Sequence, residues 1–363
     1  MRKIYTHPLW FVFFGIILLS ACNEDSDNAP SYNVPETYSF QNVNYSGQTT
    51  RLNMMEAMTA YMKTGNEGAI LEAQQLKNMY ANTNNAFEDE SLNNASKDLK
   101  SKTFELDQGM FEDFMEALAQ ASQSAGQTGS NGTAGIVTSG DGSRSYLLDA
   151  NGYEYTQIIE KGLMGACFYF QATAVYLSEE GIGAAVNNTE VTEGEGTTME
   201  HHWDEAFGYL GVPTTFPADT ESARFWGKYC NDRDALLGTN DIMEAFIKGR
   251  AAISAKDMDT KNEMVPVIRE TWEKIAAGTA IHYINSALDN FSDDALRNHA
   301  LSEAWAFVLS LKYNPERKVS LEQIEEIHQL LGDNFYEVSS DDLNTAKDRL
   351  ADWYSLEDIK NNL

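Results

Sequence analysis

Along most of the chain, apolar residues return every three or four positions, the spacing of one face of an α-helix. Met54, Met55, Met58, Tyr61 and Met62 set this rhythm first, and Gly65 is placed to end the helix they predict. A second helix is expected over 69–80 with Ile70, Leu71, Leu76 and Met79 facing inward, and a short one near 91–100. Phe111, Phe114, Met115 and Leu118 mark an amphipathic helix over 110–122. Residues 157–178 are apolar nearly all round, which suits a central helix, and Gly162, Gly165 and Ala166 would let a neighbour approach closely. Further helices are expected over 239–254, over 267–290 after Pro266, and from the caps Ser292 and Asp293 to about 312. Two terminal helices start at Ser320, where Gln323 completes a capping box, and at Ser339 or Ser340.

The rest is polar. Residues 126–142 are rich in Gly, Ser, Thr and Asn and read as a long mobile loop. Residues 145–155 read as a small hairpin turning at Asn151-Gly152, the pair that supplies the two positive φ angles of a type I′ turn. A Gly-rich, acidic loop with Glu190, Glu193 and Glu195 covers 181–198. The fold class that follows is all-α with extra packed helices and one small β-hairpin.

Two of the predicted helices carry the same pattern. His201-His202-Trp203-Asp204-Glu205-Ala206-Phe207-Gly208-Tyr209 is echoed by His299-Ala300-Leu301-Ser302-Glu303-Ala304-Trp305-Ala306-Phe307. In both, His and Glu stand four residues apart, on one helix face. The echo extends upstream: Glu160-Lys161 lies over Glu273-Lys274, Gly165 over Gly278, Ala174 over Ala287 and Tyr169 over His282. The offset is 113 residues in the upstream helix and 98 in the downstream one, the difference falling in the acidic loop. The pattern predicts a duplicated helix hairpin, with pseudo-repeats at about 157–212 and 270–313, packed as a four-helix core in which matching residues meet.

The N-terminus places the chain at a membrane. Arg2 and Lys3 precede an apolar run from Leu9 to Leu19, too short to span a bilayer comfortably, and the run ends in Leu19-Ser20-Ala21-Cys22. These residues resemble a bacterial lipobox, which implies removal of residues 1–21 and a lipid on Cys22. Asn23 follows Cys22, so the Asp associated with inner-membrane retention is missing, and an outer-membrane lipoprotein, on the periplasmic face or the cell surface, is expected. The organisation expected is a signal peptide (1–21), a tether (22–48) and one helical domain (49–363).

The formal net charge is −29 at pH 7, and loss of Arg2 and Lys3 makes the mature chain more acidic still. Such a surface repels phosphate backbones and excludes nucleic acid as a partner. Beyond Cys22 only Cys167 and Cys230 remain; their pairing is left open by the sequence, and Cys167 lies in an apolar helix where a small hydrophobe is expected. Asp149, Asn151 and Glu160 have an EF-hand-like spacing, but Tyr153 and Glu154 occupy positions that calcium binding needs for an oxygen ligand and a glycine. His-Glu-x-x-His and Gly-x-Ser-x-Gly are absent.

If the duplicated helices face each other, His201, His202, Glu205, His299 and Glu303 converge on one point. Imidazole with carboxylate in a helical bundle suits Fe(II), Zn or Mn, and Tyr169 or His282 would stand behind the ligands. The competing explanations are ordinary. An i,i+4 ion pair contributes roughly 0.2–0.5 kcal/mol, and a buried His–Glu hydrogen bond can simply tie two helices together.

Lys161-Gly162-Leu163-Met164-Gly165-Ala166, His201–Tyr209 and Ser302-Glu303-Ala304-Trp305 resemble a family of uncharacterised bacterial outer-membrane lipoproteins with an all-helical, imelysin-like fold, over residues 35–363. His202 and Glu205 occupy the His and Glu of the imelysin signature Gly-x-His-x-x-Glu, while Glu200 stands where its Gly belongs. The resemblance implies a cell-envelope protein linked to iron acquisition, placed beside an outer-membrane transporter or another envelope protein. The expectation is therefore a non-enzymatic, lipid-anchored binding protein for a divalent metal, iron favoured over zinc. A metal-dependent envelope hydrolase or peptidase using the same residues, and a scaffold lipoprotein without ligand, are the alternatives.

Overall fold

Met54, Met55, Met58 and Met62 bury one face of α1 (Ser46–Lys63) against the helices that follow, as their spacing requires. The computed structural model describes residues 32–363, together with Met1 and Lys3. The signal segment and the lipid site expected at Cys22 lie outside the described residues. Residues 34–363 form a single compact unit. Its start is earlier than the boundary expected at 48, because Tyr38 is buried, stacked 3.8 Å from Phe207 and donating its hydroxyl to Asp204.

After α1 come α2 (Ala73–Ala81), the single turn α3 (Glu90–Asn93) and α4 (Gln108–Ser122). Leu71 is buried, but Ile70 is 60% exposed, because α2 begins only at Ala73 and Ile70 belongs to the preceding loop. A two-stranded antiparallel sheet follows, β1 (Gly135–Thr138) against β2 (Ser145–Leu148). This corrects two expectations. The segment over 126–142 contains a strand, and the hairpin turns at 139–144 around Asp141, whose carboxylate accepts from the Ser139 and Ser143 side chains and the Ser143 N–H. Asn151-Gly152 makes a different turn: Asp149 accepts from the N–H groups of Asn151 and Tyr153, and only Gly152 has positive φ, at 87°. Gly is required there, since a Cβ would lie 2.3 Å from the Asn298 side chain.

The central helix α5 (Tyr155–Leu163) continues into wider π-helical turns, Met164–Tyr169 and Gln171–Tyr176. Arg269 bonds the Thr173 and Leu177 carbonyls left free at its end. The short α6 (Glu179–Ile182) leads to α7 (Thr198–Leu210), α8 (Trp226–Leu237), α9 (Asp241–Ala255) and the long α10 (Met258–Asp289). Pro266 lies inside α10 and does not end it, a further correction. Losing one backbone bond costs about 3 kcal/mol; Val265, Ile268, Trp272 and Ile275, all buried, hold the helix in place across the proline. The chain closes with α11 (Asp294–Ser310), α12 (Leu321–Leu331) and α13 (Ser340–Tyr354), capped by Asp293, Ser320 with Gln323, and Ser339.

Among the described residues the fold is thus all-α with one small hairpin, as expected. Each pseudo-repeat is a long helix followed by a shorter one bearing a His–Glu pair. α11 packs on α10 and α5; α7 packs on the π-helical end of the central helix, α1 and α9. Gly165, in the first π-helical turn, permits the close approach of α11, where a Cβ would lie 2.2 Å from Ser310 Oγ. Cys167 and Cys230 are free, buried thiols and form no disulfide.

Candidate functional site

α7 begins with a capping box: Thr197 accepts from the Glu200 N–H, and Glu200 accepts from the Thr197 N–H. Glu200 also holds Arg250 at 2.8 Å. One turn on, His201 Nε2 lies 3.8 Å from Glu205 Oε2, with the two side chains 26% and 18% exposed. Glu205 Oε1 accepts from Gln48 Nε2 at 2.9 Å and from the Tyr176 hydroxyl at 3.2 Å. His202 does not join them, because its Nδ1 bonds the Gly181 carbonyl at 2.6 Å. Asp204 is fully buried, between Tyr38 and Arg250. Burial pushes its carboxyl up to about 6, even though Arg250 and the Tyr38 hydroxyl pull it down.

On α11, His299 Nε2 lies 3.7 Å from Glu303 Oε2, the same i,i+4 geometry. Here the environment is closed. His299 Nδ1 lies 2.5 Å from Glu154 Oε2, and Tyr146 stacks on the imidazole at 4.2 Å. Glu303 faces Lys161 Nζ at 3.7 Å, and Lys161 faces Glu160 at 3.1 Å. The result is a buried line of alternating charge, Glu154, His299, Glu303, Lys161, Glu160. Burial alone would lower the His299 imidazole; Glu154 and then Glu303 outweigh it and hold its pKa above the usual value. Burial likewise opposes charge on Lys161, and Glu160 and Glu303 raise it.

The two His–Glu pairs do not meet. Glu303 is held against Lys161 and Glu205 against Tyr176, at opposite ends of the central helix. Fifteen residues of helix separate these positions by on the order of 20 Å. Among the described residues, no group of three or more His, Cys, Asp or Glu side chains is placed to hold a metal ion. The expected second-row residues also lie elsewhere. Tyr169 is buried beside Trp226 and Trp272, and His282 sits by Tyr283 near the C-terminal Leu363. The five candidate residues thus do not fit a shared centre. Asp149, of the EF-hand-like spacing, turns its carboxylate onto its own loop.

The inner end of the charged line opens on a surface groove of roughly 430 Å³ between α1, α5 and α8. Four basic side chains line it, Lys63, Lys161, Arg224 and Lys228, against two acids, Glu56 and Glu160. Arg224 is positioned through its backbone: its N–H bonds the Gly211 carbonyl, and Gly211 has φ 77° with no room for a Cβ, which would lie 2.5 Å from Arg224 O. Phe225, next in the wall, adopts φ 48° and ψ −117°, a conformation costing a non-glycine residue about 1–3 kcal/mol. Its ring packs on Phe168 at 5.6 Å. Thr59, only 6% exposed, lines the same groove with a hydroxyl that has no hydrogen-bond partner among the described residues. This groove has no motif in the sequence; a cluster assembled from positions 56–63, 160–161 and 223–229 is visible only in three dimensions.

Comparison with known proteins settles the family. The model of a family described as a domain of unknown function, DUF4856, matches residues 35–356. The chain belongs to the DUF4856 family. No curated protein and no solved structure matches it. The match begins one residue after the compact unit does, so the DUF4856 domain and the folded body share their N-terminal boundary.

Proposed function

We propose that this DUF4856 protein is a lipid-anchored, non-catalytic ligand-binding protein of the cell envelope, and that its ligand site is the groove between α1, α5 and α8. The observation that carries this reading is the gathering of four cations around one cleft on a chain of net charge −29. The duplicated His–Glu pairs serve the frame: His299 joins α11 to the start of α5 through Glu154, and Glu205 joins α7 to α1 through Gln48. The lipobox-like Leu19-Ser20-Ala21-Cys22 supports anchoring, and the imelysin-like residues support an envelope role. Thermal-shift and calorimetric titration of the full chain with a panel of small envelope solutes tests the reading. A ligand that binds the natural chain but not Ala223→Trp, which fills the groove, is expected; a panel with no binder defeats it.

A second reading retains metal acquisition. His201 Nε2 and Glu205 Oε2, 3.8 Å apart and partly open, leave a gap that suits an ion with ligand distances of about 2.0–2.2 Å. Iron or zinc held there takes its remaining ligands from water or from a partner such as an outer-membrane transporter. Reconstitution followed by elemental analysis decides: about one equivalent of metal, lost in His201→Ala, supports it, and a trace amount rejects it.

A further inference from the structure

We infer that the groove takes a small organic anion carrying at least two negative charges, as phosphate or as carboxylates, seated over Phe225 and Tyr229. The inference rests on the groove being the ligand site and adds the chemistry of what fills it. Lys63 and Lys228 are exposed, make no ion pair among the described residues, and line the cleft from α1 and α8. They are therefore free to pair with an incoming charge without first breaking an internal bond. Arg224 already holds Glu56 at 3.2 Å and Asn53 at 2.7 Å, so its guanidinium is oriented in the wall, with donors to spare for a planar oxyanion.

The floor supplies what simple charge attraction lacks. Lys161 is buried, lies over the Tyr229 ring at 5.6 Å, and is restrained by Glu160 and Glu303. The Thr59 hydroxyl, buried in the wall, is a donor and acceptor without a partner among the described residues. Phe225 and Tyr229 give the ligand body an apolar, aromatic surface. Size and net charge favour a small anion. The cleft of roughly 430 Å³ holds a molecule of metabolite size, and the chain's net charge of −29 works against nucleic acid and anionic lipid surfaces.

The test titrates the full chain in non-ionic detergent with glycerol 1-phosphate, inorganic phosphate and propane-1,2,3-tricarboxylate, against neutral glycerol and cationic putrescine. The expected result is binding of the anions alone, weakened by salt, and about tenfold or more weaker in K63E/K228E, whose two positions are exposed and whose retained fold is checked by circular dichroism. Preference for phosphate or for the tricarboxylate identifies the source of the charge; either supports the inference. Anion binding that the double variant leaves intact overturns it. A neutral or cationic ligand that Ala223→Trp blocks, with no anion bound, overturns the charge class while sparing the binding role. Absence of any groove ligand overturns both.

Discussion

His299 Nδ1 sits 2.5 Å from Glu154 Oε2, a carboxylate 145 positions earlier in the chain and fully buried. The His–Glu pattern drew attention to His299 and Glu303, yet the shorter contact is to Glu154, which belongs to no motif. Glu154→Ala would leave an imidazolium without its nearer counter-charge, and a loss of about 3–5 kcal/mol is expected in denaturant unfolding. The pH signature has a defined sign. Because the folded pKa of His299 is raised, its stabilisation is complete below about 6.5 and is lost as pH rises through the folded value. Glu154→Gln should flatten that alkaline decline.

His328 should behave in the opposite way. Its ring stacks on Trp305 at 4.6 Å and its Nε2 donates to the Trp305 carbonyl at 3.0 Å. Burial depresses its pKa to about 4, so the native state resists a proton that the unfolded chain binds near 6.5. Stability is then lost as pH falls from about 6.5 to about 4. Imidazole NMR should show a neutral Nε2–H ring down to that range, and His328→Gln should lessen the acid decline.

Arg250 is the central cation of a second buried cluster, bonding Glu200 and Asp204 while lying over Phe40 at 5.1 Å. Arg250→Met strands both carboxylates, and a cost of about 3–5 kcal/mol is expected near neutral pH. Without Arg250 the carboxyl of Asp204 rises above its natural value of about 6, so the cost should shrink as pH falls toward 6 and level off below it. Hydrogen exchange over residues 38–44 should rise in the variant, since Tyr38 is fastened to the same carboxylate.

Cys22→Ala should abolish lipid attachment. Detergent phase partitioning of the expressed chain checks this: the natural protein should enter the detergent phase and the variant the aqueous phase.

Local rules carried the fold a long way. The caps at Asp293, Ser320 and Ser339, the methionine face of α1 and the close approach at Gly165 all follow from spacing within one or two turns. What depends on distant partners was not legible. The convergence of the two His–Glu pairs failed because α7 and α11 grip different ends of one long helix. Asp204 reads as an exposed helix residue until Arg250 and Tyr38 arrive from elsewhere. Pro266 reads as a stop until the burial around it is known. The hairpin moved because Asp141 and Asp149 both make turns, and periodicity alone does not say which of them strands flank.

The two unpaired cysteines have a consequence for where such a chain can work. Burial pushes both thiols up to about 12, which keeps them in the unreactive thiol form at neutral pH. Neither oxidants nor thiol exchange should gain purchase on the folded body. The fold of residues 34–363 should therefore keep the same melting temperature with and without a thiol reductant.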